Sequence, residues 1–223
     1  MARLPRVVIP GVPHHVTHRG NRRQRTFFSP VDYQSYLTLV SRFCRSFGVE
    51  IWCYCLMPNH VHLILTPSTE DGLARAVGRT AESFSRIVNA REDWRGHLWQ
   101  GRFSSFPMGE SHLLAAAKYI LLNPVRAGIV DRPEHWIWSS VHAHLEERCR
   151  RDVIDVAPLA ERISDWPQIL EVAEDGQYLD EMRLHGRTGR PLGDESFIRR
   201  LEAQTGRQLW PLRPGPKPKA KGA

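Results

Sequence analysis

Cysteine is scarce in this 223-residue chain: Cys44, Cys53, Cys55 and Cys149 are the only four, and no two form a CxxC pair. That is too few for a disulfide scaffold, so reduced thiols are expected. Apolar runs are short as well. None approaches the ~18 residues of a membrane span, and Pro5 and Pro10 stand where a secretory signal needs an apolar run. A cytoplasmic protein with no membrane partner is expected. Acidic residues are missing from both ends. Residues 1–30 carry six arginines and no acid, residues 206–223 carry five basic residues and no acid, and the body between them is left at −4 within a net charge of +7. Clustered cations suit a polyanion, because each one set against a phosphate releases condensed counterions. Basic ends can also serve solubility alone, but nucleic acid is the favoured partner and a nucleoid-associated location follows from it. Lysine is rare, four against 27 arginines. Arginine suits bidentate phosphate contacts, yet a GC-rich genome gives the same bias, so the ratio decides nothing.

What is present is enough for a core, at 41% hydrophobic content. Val12 to Arg19 reads as a first strand, followed by the turn Gly20-Asn21 and a cluster of arginines. Ser29 caps a helix that Pro30 opens and Gly48 ends, with Tyr33, Tyr36, Leu37, Val40, Phe43 and Cys44 at helical spacing. Val49 to Met57 and His60 to Thr66 are extended runs about Pro58-Asn59, which predicts a tight antiparallel hairpin. A helix over Thr69 to Asn89, a strand over Leu98 to Phe106 and a helix over Ser111 to Leu122, stopped by Pro124, complete the pattern. The fold class is α+β: a ferredoxin-like, mostly antiparallel sheet with helices packed on it. Residues 1–145 form the main domain and 146–205 a helical C-terminal extension, with short pieces over 158–183 and a helix from the N-cap Asp194 to Gln204. Residues 206–223 form a basic, proline-rich tail, disordered when free.

Two groups of residues carry chemistry. His60 and His62 lie two apart on a predicted strand, so both imidazoles leave one face and can share a metal ion. Chance alone supplies such pairs among 11 histidines, and His142 and His144 make another in a polar stretch; ligation and ordinary satisfied histidines therefore both remain open. Tyr119 and Asn123 are four apart on the third helix and share a face. A phenol with a pKa of about 10 is a poor nucleophile at neutral pH, and a divalent cation that polarises a phosphate makes it useful. Asn123 can offer an amide oxygen to the same cation. Packing is the ordinary occupation of a helical tyrosine, and four others occur in the chain.

The stretches Met57 to Leu65 (MPNHVHLIL), Leu98 to Phe103 (LWQGRF) and Tyr119 to Val130 (YILLNPVRAGIV) resemble the REP-associated tyrosine transposases of the HUH single-tyrosine transposase superfamily. The opening PHHVTHRGNRRQ is similar to that family's first strand and basic turn, and the resemblance covers about residues 5 to 145. It implies that His60 and His62 bind Mg²⁺ or Mn²⁺, with Asn123 as a third ligand, and that Tyr119 forms a 5′-phosphotyrosine link. It also implies a transposase acting on single-stranded DNA beside hairpins. Arg19, Arg22, Arg23, Arg102 and Arg126 lie in or beside these motifs as phosphate clamps. Trp99 and Phe103 are candidates for stacking on bases, or else core residues. The stretch Thr188 to Lys219 looks like tails appended to some members, and RPGPKPK within it resembles a minor-groove hook without its usual RGRP core, which gives an expectation of auxiliary DNA contact.

Two rival readings stand beside this one. In the first the chain binds hairpin DNA but does not cut it. In the second Cys55 lies opposite His62 and Cys53 opposite Ile64, and the thiolates select Zn²⁺. A monomer or a homodimer is compatible with either.

Overall fold

The computed structural model describes residues 6–145, 153–171 and 176–210. Its centre is a four-stranded sheet of β1 (His14–Arg19), β2 (Val49–Met57), β3 (His60–Pro67) and β4 (Ser104–Pro107), in the order β2-β3-β1-β4 with every pair antiparallel. The intervening helices are α1 (Pro30–Ser46) and α2 (Gly72–Glu92), and α3 (Glu110–Leu121) follows β4. This is the ferredoxin-like α+β arrangement that the sequence pattern predicts.

Each face of the sheet is covered for a reason legible in its alternation. Val16, Tyr54, Leu56, Val61, Leu63 and Leu65 point to one side, where they join Tyr36, Leu37 and Val40 of α1 and Leu73, Val77 and Phe84 of α2 in the main core. On the other side Cys53, Cys55, Met57, Ile64 and Phe106 meet Leu113, Ala116, Ala117, Ile120 and Leu121 of α3. Side chains two apart share a face, so one register serves both layers.

The extended run at Leu98 to Phe106 is a strand only at its end. Leu98 to Phe103 loops along the end of β1, with Asn21 N donating to Leu98 O (2.8 Å) and Gln100 N to Arg19 O (2.8 Å). The helix of Tyr119 ends within a residue of its expected bound, which leaves Asn123 off it. It stops at Leu121, and Asn123 opens a separate short helix, α4 (Asn123–Arg126). Pro124 has no N–H to give to Ile120, which breaks the ladder there.

The C-terminal extension packs on the same sheet. After α5 (Val141–Leu145), which closes the main domain, it contains α6 (Ala157–Ala160), α7 (Trp166–Glu171), α8 (Gly176–Thr188) and α9 (Glu195–Thr205). Residues around Trp138 to Ser140 cover the outer edge of β2, where Leu56 N donates to Trp138 O (2.9 Å) and Ser140 N to Tyr54 O (2.9 Å). Leu192 does the same beyond β4, donating its N–H to Pro107 O (2.9 Å). Both sheet edges are thus closed against foreign strands. Asp194 caps α9 by accepting from Phe197 N (2.8 Å), and α9 packs Phe197, Ile198 and Leu201 on Val7 and Ile9. The proline-rich stretch from 211 onward, including RPGPKPK, and Cys149 lie outside the described residues.

At the start of α1, Asp32 is buried and accepts from Phe28 N (2.7 Å) and Ser29 N (2.9 Å), with Arg91 of α2 paired to the same carboxylate. Arg91 is partly exposed, so its charge is screened and the two amides matter more. Asp32→Ala is expected to cost about 2 kcal/mol of unfolding free energy in a urea titration, because it leaves two amides without acceptors. An unchanged midpoint would mean that those amides find other partners.

Candidate active site

The strand register assembles the site. Arg19 pairs with His60, Thr17 with His62 and His15 with Ile64 across β1 and β3, and Cys55 of β2 lies opposite His62. His15, Thr17, Arg19, His60 and His62 therefore all face α3. The Tyr119 ring stands over them, with its centroid 5.6 Å from that of His62 and 6.0 Å from that of His15, edge to face in both cases.

Each imidazole is oriented by a neighbour. His60 Nδ1 donates to Asn59 Oδ1 (2.6 Å), while the Asn59 amide donates to Arg23 O (2.9 Å), which fixes the amide's orientation. His62 Nδ1 lies 2.9 Å from His15 Nε2 in a buried contact. A proton on Nδ1 of each ring leaves Nε2 with the lone pair, the form a metal ligand requires. Burial lowers the pKa of His60 to about 3, helped by the charge of Arg19. Burial also drives His62 well below its ordinary value, with His60, His15, Arg126 and Arg19 adding to the effect. Both rings are thus neutral and ready to ligate.

The implied divalent cation fits this donor set in a restricted way. Two neutral imidazoles share one face, but among the described residues no group of three His, Cys, Asp or Glu side chains is placed to hold an ion. The other positions would fall to substrate oxygen, water and Asn123. Asn123 is buried and its amide nitrogen has no partner, so the side chain is not committed elsewhere through that atom. It is not part of the lining of the groove beside Tyr119. The register behind the zinc reading is as expected, with Cys55 opposite His62 and Cys53 opposite Ile64. The thiols, however, sit in the apolar layer under α3. Burial pushes Cys53 up to about 12 and Cys55 well above its ordinary value. Burial thus favours the neutral thiol, and among the described residues no group of three His, Cys, Asp or Glu side chains is placed to hold a zinc ion.

A groove of about 1440 Å³ opens from this point, lined by His15, His62 and Tyr119 and by Arg19, Arg23 and Arg102. Gly20 brings the basic turn close. A Cβ there would lie 2.3 Å from Gln24 O and 2.7 Å from Thr26 Cγ2, so no larger residue fits. Arg22 and Arg23 follow with φ of 52° and 62°, left-handed values that cost non-glycine residues energy and that cluster at functional sites. Arg22 is exposed but does not line the groove. Arg126 is half-buried and not among the groove-lining residues: its guanidinium lies 4.3 Å from the Tyr119 ring centroid and donates to Tyr119 O (2.8 Å).

Trp99 and Phe103 are core residues, each 5% exposed. Trp99 stacks on His18 (4.5 Å) and meets Phe27, Tyr36 and Phe84, while Arg6 covers Phe103. Stacking on bases is closed to both rings here. Their loop alternates instead, with Gln100 and Arg102 turned to the groove and the aromatics turned inward. Of the second histidine pair, His142 bonds Glu134 O (2.8 Å) and His144 stacks on Trp166 (4.6 Å). His15 and Thr17 escaped sequence reading. The period-two alternation of β1 was their one signal, and it points to the site only once β1 is known to lie beside β3.

Fold and site together define a small α+β protein that presents a histidine pair on a strand to a tyrosine on a helix. The chain belongs to the family described as "Transposase IS200 like", whose model matches residues 10–123. A REP-associated tyrosine transposase of Escherichia coli is 23% identical over 122 residues, covering 54% of this chain and 72% of that protein. A Haemophilus influenzae protein assigned by name to the same group is 27% identical over 110 residues, 44% of this chain and 62% of its own length. A solved REP-associated tyrosine transposase bound to a REP hairpin has the same fold, with a TM-score of 0.58 and 22% identity over 70% of this chain and 93% of its own. Among the described residues no helix is long and apolar enough to cross a membrane.

The histidines make stability pH-dependent. His14 and His18 are held at about 4 and His15 at about 3, mainly by burial, against an ordinary 6.5. Below 6.5 the unfolded chain binds protons that the folded chain refuses, so stability falls as pH drops from about 6.5 towards 4. Thermal melts in chelator are expected to show a falling Tm over that window. A constant Tm between pH 7 and 5 would contradict it.

Proposed function

We propose that this protein cuts and rejoins single-stranded DNA beside hairpins, with Tyr119 as nucleophile and Mg²⁺ or Mn²⁺ held by His60 and His62. The observation that carries this is the placement of the Tyr119 ring over His62, on the sheet face shared with His60, in an arginine-lined groove. Family membership agrees with it, and the fold-mate is described as bound to a REP hairpin. Asn123 is the proposed third protein ligand.

Tyr119 Oη attacks the scissile phosphorus, the bond from phosphorus to the 3′ oxygen breaks, the phenolic proton passes to water and the departing 3′ oxygen takes up a proton. The 5′ phosphate is then esterified to Tyr119, and attack by a 3′ hydroxyl reverses the step without any external energy source. A bound divalent cation would polarise the phosphate and offset its growing charge. Arg126 keeps the tyrosine ring facing the histidines from one side. Arg19, Arg23 and Arg102 position backbone phosphates. A duplex is stiff and its bases are paired, whereas a single strand bends into such a groove.

Tyr119→Phe is expected to abolish the covalent protein–DNA adduct while changing affinity less than about twofold, since only a hydroxyl is lost. A denaturation-resistant adduct formed by the Phe variant would remove Tyr119 from the chemistry. A wild type that binds hairpin-bearing strands yet forms no adduct with either metal would favour a binding protein that does not cut.

End-labelled substrates give a second check. The strand flanking a hairpin should be cut at a fixed distance from its foot, and the same sequence as perfect duplex should stay intact. Equal cutting of both would refute the single-strand reading.

A further inference from the structure

The helix α8 lies beyond residue 123, where the family match ends, yet it closes one side of the groove. Its inner face is anchored: Met182 is buried in the layer under α3, Tyr178 Oη donates to His112 O (2.9 Å), and the Ser104 hydroxyl donates to Gly186 O. Its other face turns Arg183, Leu184 and Arg187 to the groove, all exposed. Arg183 pairs with Asp180 (2.8 Å) in an exposed i,i+3 contact, which is weak enough for a phosphate to compete with. Leu184, between the two arginines, is 48% exposed although the helix already has an apolar anchor.

We propose that α8 is the second wall of a single-stranded DNA channel, in which Arg183 and Arg187 hold backbone phosphates of the strand crossing Tyr119 and Leu184 packs against an unstacked base. Arg19, Arg23 and Arg102 line the same groove, so the strand meets arginines from α8 and from the β1 end together. Asp180 and Glu181 also line the groove, so five arginines stand against two acids and the balance favours a polyanion. The volume exceeds the range of about 300–1,000 Å³ usual for small-molecule pockets and suits a polymer. The inference rests on reading the groove as a DNA site, though not on chemistry at Tyr119.

The test uses the full chain carrying Tyr119→Phe, so that no cutting intervenes. A fluorescein-labelled, hairpin-free single strand of about 20 nucleotides is titrated by anisotropy at several salt concentrations. R183A/R187A is expected to weaken binding about tenfold at 0.1 M salt and to make the salt slope shallower by about 1.4, two phosphate contacts at about 0.7 each. L184A should weaken binding several-fold with the slope unchanged. R183K/R187K should keep the slope, which separates loss of charge from loss of fold. R75A/R79A removes equal charge from α2, on the opposite side of the sheet, and should change affinity by less than about twofold. Equal weakening by the two alanine pairs, or no change in R183A/R187A, would overturn the wall. If the Tyr119→Phe parent failed to bind the strand at all, the groove itself would be misread as a DNA site; normal binding insensitive to α8 would sink the wall alone.

Discussion

The antiparallel register of β1 against β3 is the constraint on which the rest depends. With Thr17 opposite His62 and Arg19 opposite His60, five polar side chains face α3 while Val16, Val61, Leu63 and Leu65 face α1 and α2. Side chains alternate along a strand, so a slip of one residue would drive the histidines into the main core and the leucines under the tyrosine. No rearrangement of side chains repairs that error. The site and the larger core are therefore specified by the same hydrogen bonds, and a mutation that loosens the sheet acts on both.

Burial gives that face its chemical character. Water is largely excluded around His15 and His62, so protonated imidazole is disfavoured and the rings persist as neutral donors well below ordinary pH. The same exclusion keeps the nearby thiols protonated and inert. One physical cause thus separates residues that the sequence places side by side: desolvation makes histidine a better ligand and cysteine a worse one. The Asn59 amide and His15 then set which ring nitrogen remains open.

Much of this was legible in the sequence because it rests on local rules. The helix opened by Ser29-Pro30, the hairpin about Pro58-Asn59 and the cap at Asp194 follow from turn and capping chemistry within a few residues. The hairpin register even put Cys55 opposite His62 correctly. What escaped was non-local. His15 joins the site only because β1 lies beside β3, and Trp99 is core only because His18, Tyr36 and Phe84 close over it. The polar alternation of LWQGRF was misread as a strand because its pairing partner, the end of β1, supports only isolated bonds. The stop set by Pro124 is local and legible, but it puts Asn123 on a separate short helix rather than on that of Tyr119.

The arginines show how burial sorts one residue type into several tasks. Arg91 reaches a buried carboxylate and secures a helix start, and Arg126 lies over the Tyr119 ring and holds its backbone carbonyl. These guanidiniums already have partners within the fold, and a phosphate must compete with those contacts. Arg19 is half-buried beside His60, where its charge both depresses the histidine and faces the groove. Arg23, Arg102, Arg183 and Arg187 are exposed and line the groove. Salt screens exposed cations from one another, so their value lies in tracking a flexible backbone rather than in stabilising the fold. The net charge alone cannot separate these roles; the difference between arginines partnered within the fold and solvated arginines lining the groove does.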